Sequence, residues 1–403
     1  MNKADRDFDV IVWGATGFTG RLVADYLNTQ YPAGLKWAMA GRSEEKLRAV
    51  REEIGAKEIP LVVADADDPV SLRKLTARTK VVCTTVGPYQ LYGSDLVAAC
   101  AEAGTDYVDL CGEPAWMRKM IDAHEARAKV TGARIVFSCG FDSIPFDLGV
   151  LFVQEIARRE TGAPAPEVKG RVKAMKGAMS GGTAASFLAT IDAAKKDESV
   201  RRALRDPYAL APDDKAKRPR QPDGHRAAYD PDAKAWTAPF VMADINTRNV
   251  HRSNKLMNYA YGEGFLYSEM MIVPNAVAAS MVAGGLGAFL AAAAFAPTRA
   301  ILKQFALPAP GDGPDAAARE KGFFNILFIA RTADGKLIRA RVKGDRDPGY
   351  GSTSKMLGES AVFMVKEARG PGGVWTPASA MGKPLIERLQ KNAGLSFEHI
   401  EAM

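Results

Sequence analysis

A glycine cluster directly behind a short apolar run constrains this chain more than any other feature. Phe8–Trp13 (FDVIVW) has the length and composition of a buried strand, and Gly14-Ala15-Thr16-Gly17-Phe18-Thr19-Gly20 follows at once. From Arg21 onward, Leu22, Val23, Tyr26 and Leu27 fall on one helical face. Strand, G-x-x-G-x-x-G turn and helix in that order build a cradle for a dinucleotide. Gly14 and Gly17 let the backbone approach a pyrophosphate. The helix N-terminus offers unpaired N–H groups and the positive end of its dipole, and Gly20 permits close packing of helix on strand.

The alternation continues. Strands are expected at Lys36–Ala40, Ile59–Ala64, Val81–Val86, Tyr107–Leu110 and Ala133–Ser138. Helices are expected from Ser43 to about Gly55, and over Val70–Ala77, Ser94–Ala103 and Ala115–Val130. Such a pattern implies a parallel sheet covered on both faces, doubly wound through right-handed crossovers. The fold class is therefore α/β over residues 1–148.

In such a sheet ligands sit at the carboxyl ends of the strands. The second strand ends in Gly41-Arg42-Ser43, without the acid that usually binds a ribose 2′-hydroxyl. Arg42 can pair with a 2′-phosphate, Ser43 can donate to it, and Lys46 lies one turn further on, so the expected cofactor is NADP(H). Asp65 follows the third strand, Val86-Gly87-Pro88 the fourth and Cys111-Gly112-Glu113 the fifth. These are the remaining candidate cofactor contacts. The four cysteines form no C-x-x-C pair, and no metal site is expected. No histidine lies near Cys111 or Cys139, which disfavours a cysteine nucleophile.

After residue 150 the alternation breaks. Strands are expected at Glu167–Met175, Phe240–Asn246 and Phe265–Met271, and a hairpin over Phe323–Ala330 and Lys336–Val342. This describes a second α+β domain, 149–372, with a largely antiparallel sheet; a homodimer through that sheet is one expectation. The tail 373–403 is expected to return to the first domain. Of the whole chain's +7 net charge, residues 195–255 carry 14 Lys/Arg against 9 Asp/Glu. Six prolines from Pro207 to Pro239 make this stretch read as a mobile basic loop. From Met270 to Thr298 no residue is charged, and ten alanines surround Gly284, Gly285 and Gly287. Pro274 and these glycines are expected to break a spanning helix, leaving a buried helix pair or an apolar flap that touches membrane or lines a lipid tunnel. Peripheral membrane or lipid contact is thus an expectation for 195–298. No basic stripe is interleaved with aromatics, so no nucleic-acid partner is expected. The polar, charged start of the chain carries no signal peptide, and the expected location is cytoplasmic, with contact at the plasma membrane.

GATGFTG, AGRS, TTVGPY, YVDLCGE, CGFDSIPFDLG, SGGTAAS and GGVWTPASAMGKPLIERL occur in this order. The ordered set resembles the saccharopine dehydrogenase-like oxidoreductases, specifically their trans-acting enoyl reductase subfamily. The resemblance implies a Rossmann-type first domain and NADPH-dependent reduction of a small or carrier-bound acyl substrate in lipid or glycolipid biosynthesis. Tyr89, Tyr92 and Thr183, the last within the Ser180–Thr183 turn, become candidate oxyanion or proton donors. Tyr350, Thr353 and Lys355 are further candidate substrate contacts. An amino-acid or imine dehydrogenase and a non-catalytic NADP-sensing protein at a membrane are the alternatives. Phe141–Asp147 departs from the D-P-G stretch of the saccharopine-forming enzymes and disfavours the first of these.

Overall fold

The computed structural model describes residues 3–177, 181–211, 218–295, 297–299, 302 and 313–401. Two seven-stranded sheets organise them. The first contains β1 Phe8–Trp13, β2 Trp37–Gly41, β3 Leu61–Val63, β4 Thr79–Thr84, β5 Asp106–Val108, β6 Arg134–Val136 and, from the tail, β13 Gly373–Trp375. Its order is β13-β6-β5-β4-β1-β2-β3, with every pairing parallel. The direction of winding reverses between β1 and β4, which opens a crevice at their carboxyl ends.

Burial explains why these runs are apolar at consecutive positions. Val10 and Val12 face one hydrophobic layer and Ile11 and Trp13 the other. Val10, Ile11 and Val12 are wholly shielded from solvent, so truncating Ile11 to alanine should cost about 2–5 kcal/mol. Helices α1 (Phe18–Gln30), α2 (Glu44–Glu53), α3 (Pro69–Ala77), α4 (Tyr89–Tyr92), α5 (Ser94–Ala103) and α6 (Pro114–Thr131) follow successive strands. Helix α7 (Ile144–Thr161) was not anticipated, and the expected boundary at residue 148 falls within it. Its Ile144, Phe146 and Val150 join one continuous core with Val12 and Val136 of the first sheet and Phe324 and Phe328 of the second. Helix Thr353–Lys366 also serves the first sheet, burying Met356, Leu357 and Val362 in that layer.

The second sheet is mixed, in the order β14-β12-β11-β7-β10-β9-β8. Its strands are β7 Glu167–Lys176, β8 Ala228–Asp230, β9 Ala235–Pro239, β10 Leu266–Val273, β11 Phe323–Arg331, β12 Leu337–Gly344 and β14 Leu395–Ile400. Only the β7–β10 pairing is parallel. The tail beyond residue 372 therefore divides, giving β13 to one sheet and β14 to the other.

The segment 195–255 is ordered over most of its length, contrary to the expected loop. Helices α8 (Gly181–Lys196) and α9 (Glu198–Arg205) lead to β8 and β9, and the expected strand at Phe240–Asn246 gives way to helix α10 (Ala243–Leu256). Most of α10 is polar, yet it is buried. Many of its polar groups find protein partners in place of water, although Asn246 Oδ1, Asn249 Oδ1, His251 Nε2 and Arg252 Nε find none among the described residues. Arg252 donates to Leu210 O and Val374 O, Asn249 to Ser143 Oγ at 2.9 Å, and Ser253 to Asp147 Oδ1 at 2.6 Å.

The uncharged stretch also departs from expectation. Ala276–Ala294 forms one unbroken helix, α11, through its glycines. Asn275 Oδ1 accepts the Ala278 N–H at 2.9 Å as N-cap. Each interior glycine costs about 1 kcal/mol relative to alanine, and the surrounding alanines are the best helix formers. The helix is not half of a buried pair: only Ala279 and Ala293 are buried.

Candidate active site

The glycine turn fits a dinucleotide. Gly14 has φ +86°, and a Cβ there would lie 2.6 Å from Val86 Cγ2. A Cβ on Gly20 would lie 2.1 Å from Gly14 O, so α1 can approach β1 this closely only through glycine. Gly17, the N-cap of α1, provides no side-chain acceptor, which leaves the first amides of the helix for an anion. Phe18 meets the Tyr350 ring edge-on at 4.8 Å. The buried Tyr350 hydroxyl has no hydrogen-bond partner among the described residues. A cradle that any side chain would fill and an orphaned hydroxyl beside it both suit a bound dinucleotide.

Arg42 stands exposed at the end of β2. Ser43 is spent on capping α2: its Oγ accepts the Lys46 N–H at 3.3 Å. Asp65 lies at the end of β3, where its Oδ1 accepts the Asp67 N–H at 3.1 Å. These four residues lie away from the main cavity and on the side of the sheet where the second strand ends.

The cavity has a volume of about 1530 Å³ and begins at the carboxyl ends of the central strands. Thr19, Gly87, Tyr89, Gly112, Glu113 and Thr183 all line it, whereas Tyr92, Cys111, Arg42, Ser43, Lys46 and Asp65 do not. Tyr92 is 42% exposed and points elsewhere. Tyr89 is buried with its hydroxyl held by the backbone, 3.4 Å from both Thr84 O and Leu110 N. Burial pushes that phenol well above its usual range, so it stays protonated. The Val86-Gly87-Pro88 loop is carried on a cis Gly87–Pro88 bond. Glu113 fixes α4, the helix that follows this loop, accepting Tyr89 N–H and Gln90 N–H at 2.9 Å each. The wholly buried Cys111 thiol accepts the Glu113 N–H at 3.4 Å, and burial pushes its pKa upward, which fits the absence of a nucleophilic role. Thr353 is also structural, accepting Phe141 N–H at 3.0 Å and donating to Pro348 O at 2.7 Å.

Two acids that the sequence did not single out face the same cavity. Asp142 is open to it on one side and enclosed by protein otherwise, and burial pushes its carboxyl up to about 7. Glu269 accepts Tyr267 Oη at 2.7 Å and Asn246 Nδ2 at 2.9 Å. Burial, aided by the charge of Asp142, pushes it up to about 8. Asp142 follows β6 and Glu269 sits on β10, so only the docking of the two sheets brings them to one wall. Arg201, Arg205 and Arg248 also line the cavity, and part of its wall is apolar. Ile191 of α8 and Leu286 and Leu290 of α11 line it, and Phe187 stacks on Phe289 at 5.5 Å.

A parallel doubly wound sheet, a glycine cradle and a cavity at its strand ends define an NADP(H)-dependent oxidoreductase. Residues 10–136 match the family described as the saccharopine dehydrogenase NADP binding domain. A Mycobacterium tuberculosis protein bearing the provisional name trans-acting enoyl reductase is 44% identical over 99% of both chains. The trans-acting enoyl reductase of Mycobacterium ulcerans is 39% identical over 96% of this chain and 97% of its own. The apo saccharopine dehydrogenase (L-Glu forming) of Saccharomyces cerevisiae shares the fold at a TM-score of 0.55. Its identity is 14%, over 98% of this chain and 100% of its own. The chain belongs to the trans-acting enoyl reductase family of saccharopine dehydrogenase-like proteins.

Proposed function

We propose that this protein reduces the α,β-double bond of a long apolar acyl thioester of lipid biosynthesis, using NADPH. The observation that carries the reading is one cavity lined both by Thr19 of the glycine turn with the acids Asp142 and Glu269 and by the stacked Phe187–Phe289 pair. A polar amino acid would find no use for that pair, whereas an acyl chain gains about 25 cal/mol for each Å² it buries.

Reduction adds a hydride at the β-carbon and a proton at the α-carbon, and NADPH supplies the hydride when bound. Gly14, Gly17 and the first turn of α1 hold the pyrophosphate, and Arg42 pairs with the 2′-phosphate. Asp142 holds a proton on its carboxyl near neutral pH and delivers it to the α-carbon. Thr183, at the first turn of α8, faces the thioester oxygen, where the helix N-terminus favours developing negative charge. Burial sustains the proton on Asp142, and Glu269, itself protonated below about 8, adds no charge to the enclosure at neutral pH. The apolar wall excludes water from the acyl chain.

The test is loss of reduced-nicotinamide absorbance with trans-2-enoyl-CoA thioesters of increasing chain length. Turnover rising with chain length is expected. Tight NADPH binding with no turnover on any enoyl thioester, whether on coenzyme A or on a carrier protein, would overturn the reading.

A further inference from the structure

Helix α11 has two apolar faces, and among the described residues only one is used by the fold. Leu286 and Phe289 turn inward to the cavity, and Ala279 and Ala293 are buried against the body. On the opposite side Val277 is 69% exposed, Met281 71% and the C-cap Phe295 62%. Gly284, Ala288 and Ala291, on the helical face between them, are exposed as well. The helix has a mean hydropathy of 1.8 and no charged residue, yet only 11% of it is buried. Water is a poor solvent for such a face, and a contiguous exposed apolar strip of this size marks an interaction surface.

The surroundings identify the partner. At the C-terminal end of α11, Lys195 donates to Ala294 O, whereas Arg299, which donates to Ala293 O, is mostly buried and neutralised by Asp192. Lys196 is exposed beside Lys195 on α8. At the other end, Trp236 pairs in strand register with Val273, two residues before the Asn275 cap. The exposed Tyr229 meets Trp236 edge-on at 5.7 Å. An uncharged helix flanked by the exposed Lys195 and Lys196 at one end and by Tyr and Trp at the other matches an anionic bilayer interface in both charge and polarity. At 1.5 Å per residue the helix is about 28 Å long. It lies along the body of the protein, stacked through Phe289 on Phe187 of α8, which suits a helix lying in the interface plane.

We propose that α11 docks this protein on an anionic phospholipid surface, with α11 as the partition between the bilayer and the cavity. The face that enters the headgroup layer is backed by the face that lines the apolar part of the cavity. An acyl chain thus passes from the bilayer to the active site past a single helix. This deepens the lipid-substrate reading above, but docking is measured without turnover, so either can fail alone.

The experiment is co-sedimentation of the full chain with vesicles of phosphatidylglycerol and phosphatidylcholine, against vesicles of phosphatidylcholine alone. Binding to the anionic vesicles is expected, weakened by salt and weaker on neutral ones. Met281→Glu and Val277→Glu place a carboxylate on the outer face without touching the cavity. Each should weaken vesicle binding about tenfold or more. NADPH-quenched tryptophan fluorescence checks that each variant is folded and should be unchanged. Absence of sedimentation, or sedimentation unaffected by both substitutions in variants that bind NADPH, would overturn the proposal. So would a dimer in light scattering that either glutamate dissociates, because a second copy would then be the occupant of the face.

Discussion

The Glu113 carboxylate receives the Tyr89 N–H at 2.9 Å, tying the loop after the fifth strand to the loop after the fourth. The other oxygen takes the Gln90 N–H at 2.9 Å, and Gln90 reaches on to Thr190 of α8 at 3.1 Å. Glu113 thus joins both strand-end loops and the helix that closes the cavity.

Glu113→Gln should uncouple these parts. The amide keeps one acceptor and turns a donor toward the second backbone N–H. Leaving a buried donor unpaired costs about 1–3 kcal/mol. A lower thermal midpoint and weaker NADPH binding are expected in calorimetry and fluorescence titration. An unchanged midpoint would remove Glu113 from this structural role.

Arg42 carries the cofactor preference. It stands exposed where the second strand ends, beside a serine already spent on capping α2. A guanidinium–phosphate pair is charge-assisted and bidentate. Arg42→Asp should weaken NADPH binding by about 10- to 100-fold and spare NADH. The ratio of kcat/KM for the two cofactors reads this directly; a ratio that does not move would place the 2′-phosphate elsewhere.

Glu269 makes stability pH-dependent. Its folded value of about 8 lies above the ordinary 4.5, because burial disfavours the carboxylate. Between these values the folded state holds a proton that the unfolded state releases. The associated stability is complete below the ordinary value and is lost as pH rises toward 8. Asp109, Asp142 and Asp147, each raised to about 7 by burial, add the same sign. Stability should therefore fall between pH 5 and 8, by an amount on the order of a few kcal/mol, seen as a lower thermal midpoint. Glu269→Gln should flatten the slope, since the amide does not titrate and Oε1 still accepts from Tyr267. A slope identical to that of the parent would contradict the assignment.

The first sheet was legible because parallel strands buried on both faces write themselves as apolar runs, and Phe8–Trp13 is one. Gly14 and Gly20 were legible because the clashes that exclude any side chain are local. Helix α10 was not. Residues such as Asn249 and Arg252 read as solvated, and sequence does not reveal that Ser143 Oγ and Val374 O take the place of water. Helix α11 was misread for a related reason: its glycines are breakers by propensity, but a cap and neighbouring alanines outweigh them. Tyr89 carried the right motif for the site, but its hydroxyl is turned into the backbone. Asp142 lay in the very stretch whose departure from the saccharopine-forming pattern was noted. Its chemistry arises from enclosure by β10, which no local pattern records.

That enclosure leads to the sharpest expectation for catalysis. A proton donor must be protonated in the working enzyme, and an ordinary aspartate at neutral pH is not. Enclosed beside Glu269, Asp142 is raised to about 7 by burial, so it carries its proton on the acid side of neutrality. For enoyl reduction, kcat/KM should be level at low pH and fall as pH rises through 7. Asp142→Asn keeps the shape of the side chain and removes the transferable proton. Turnover should drop about 100- to 10,000-fold and lose its pH dependence in this range, with NADPH binding retained. Glu269, protonated below about 8, is already neutral where Asp142 titrates, so Glu269→Gln should leave the falling limb near 7 with a smaller loss of rate. An Asp142→Asn enzyme that kept both its rate and its pH profile would exclude Asp142 as the donor, whatever the outcome for the substrate.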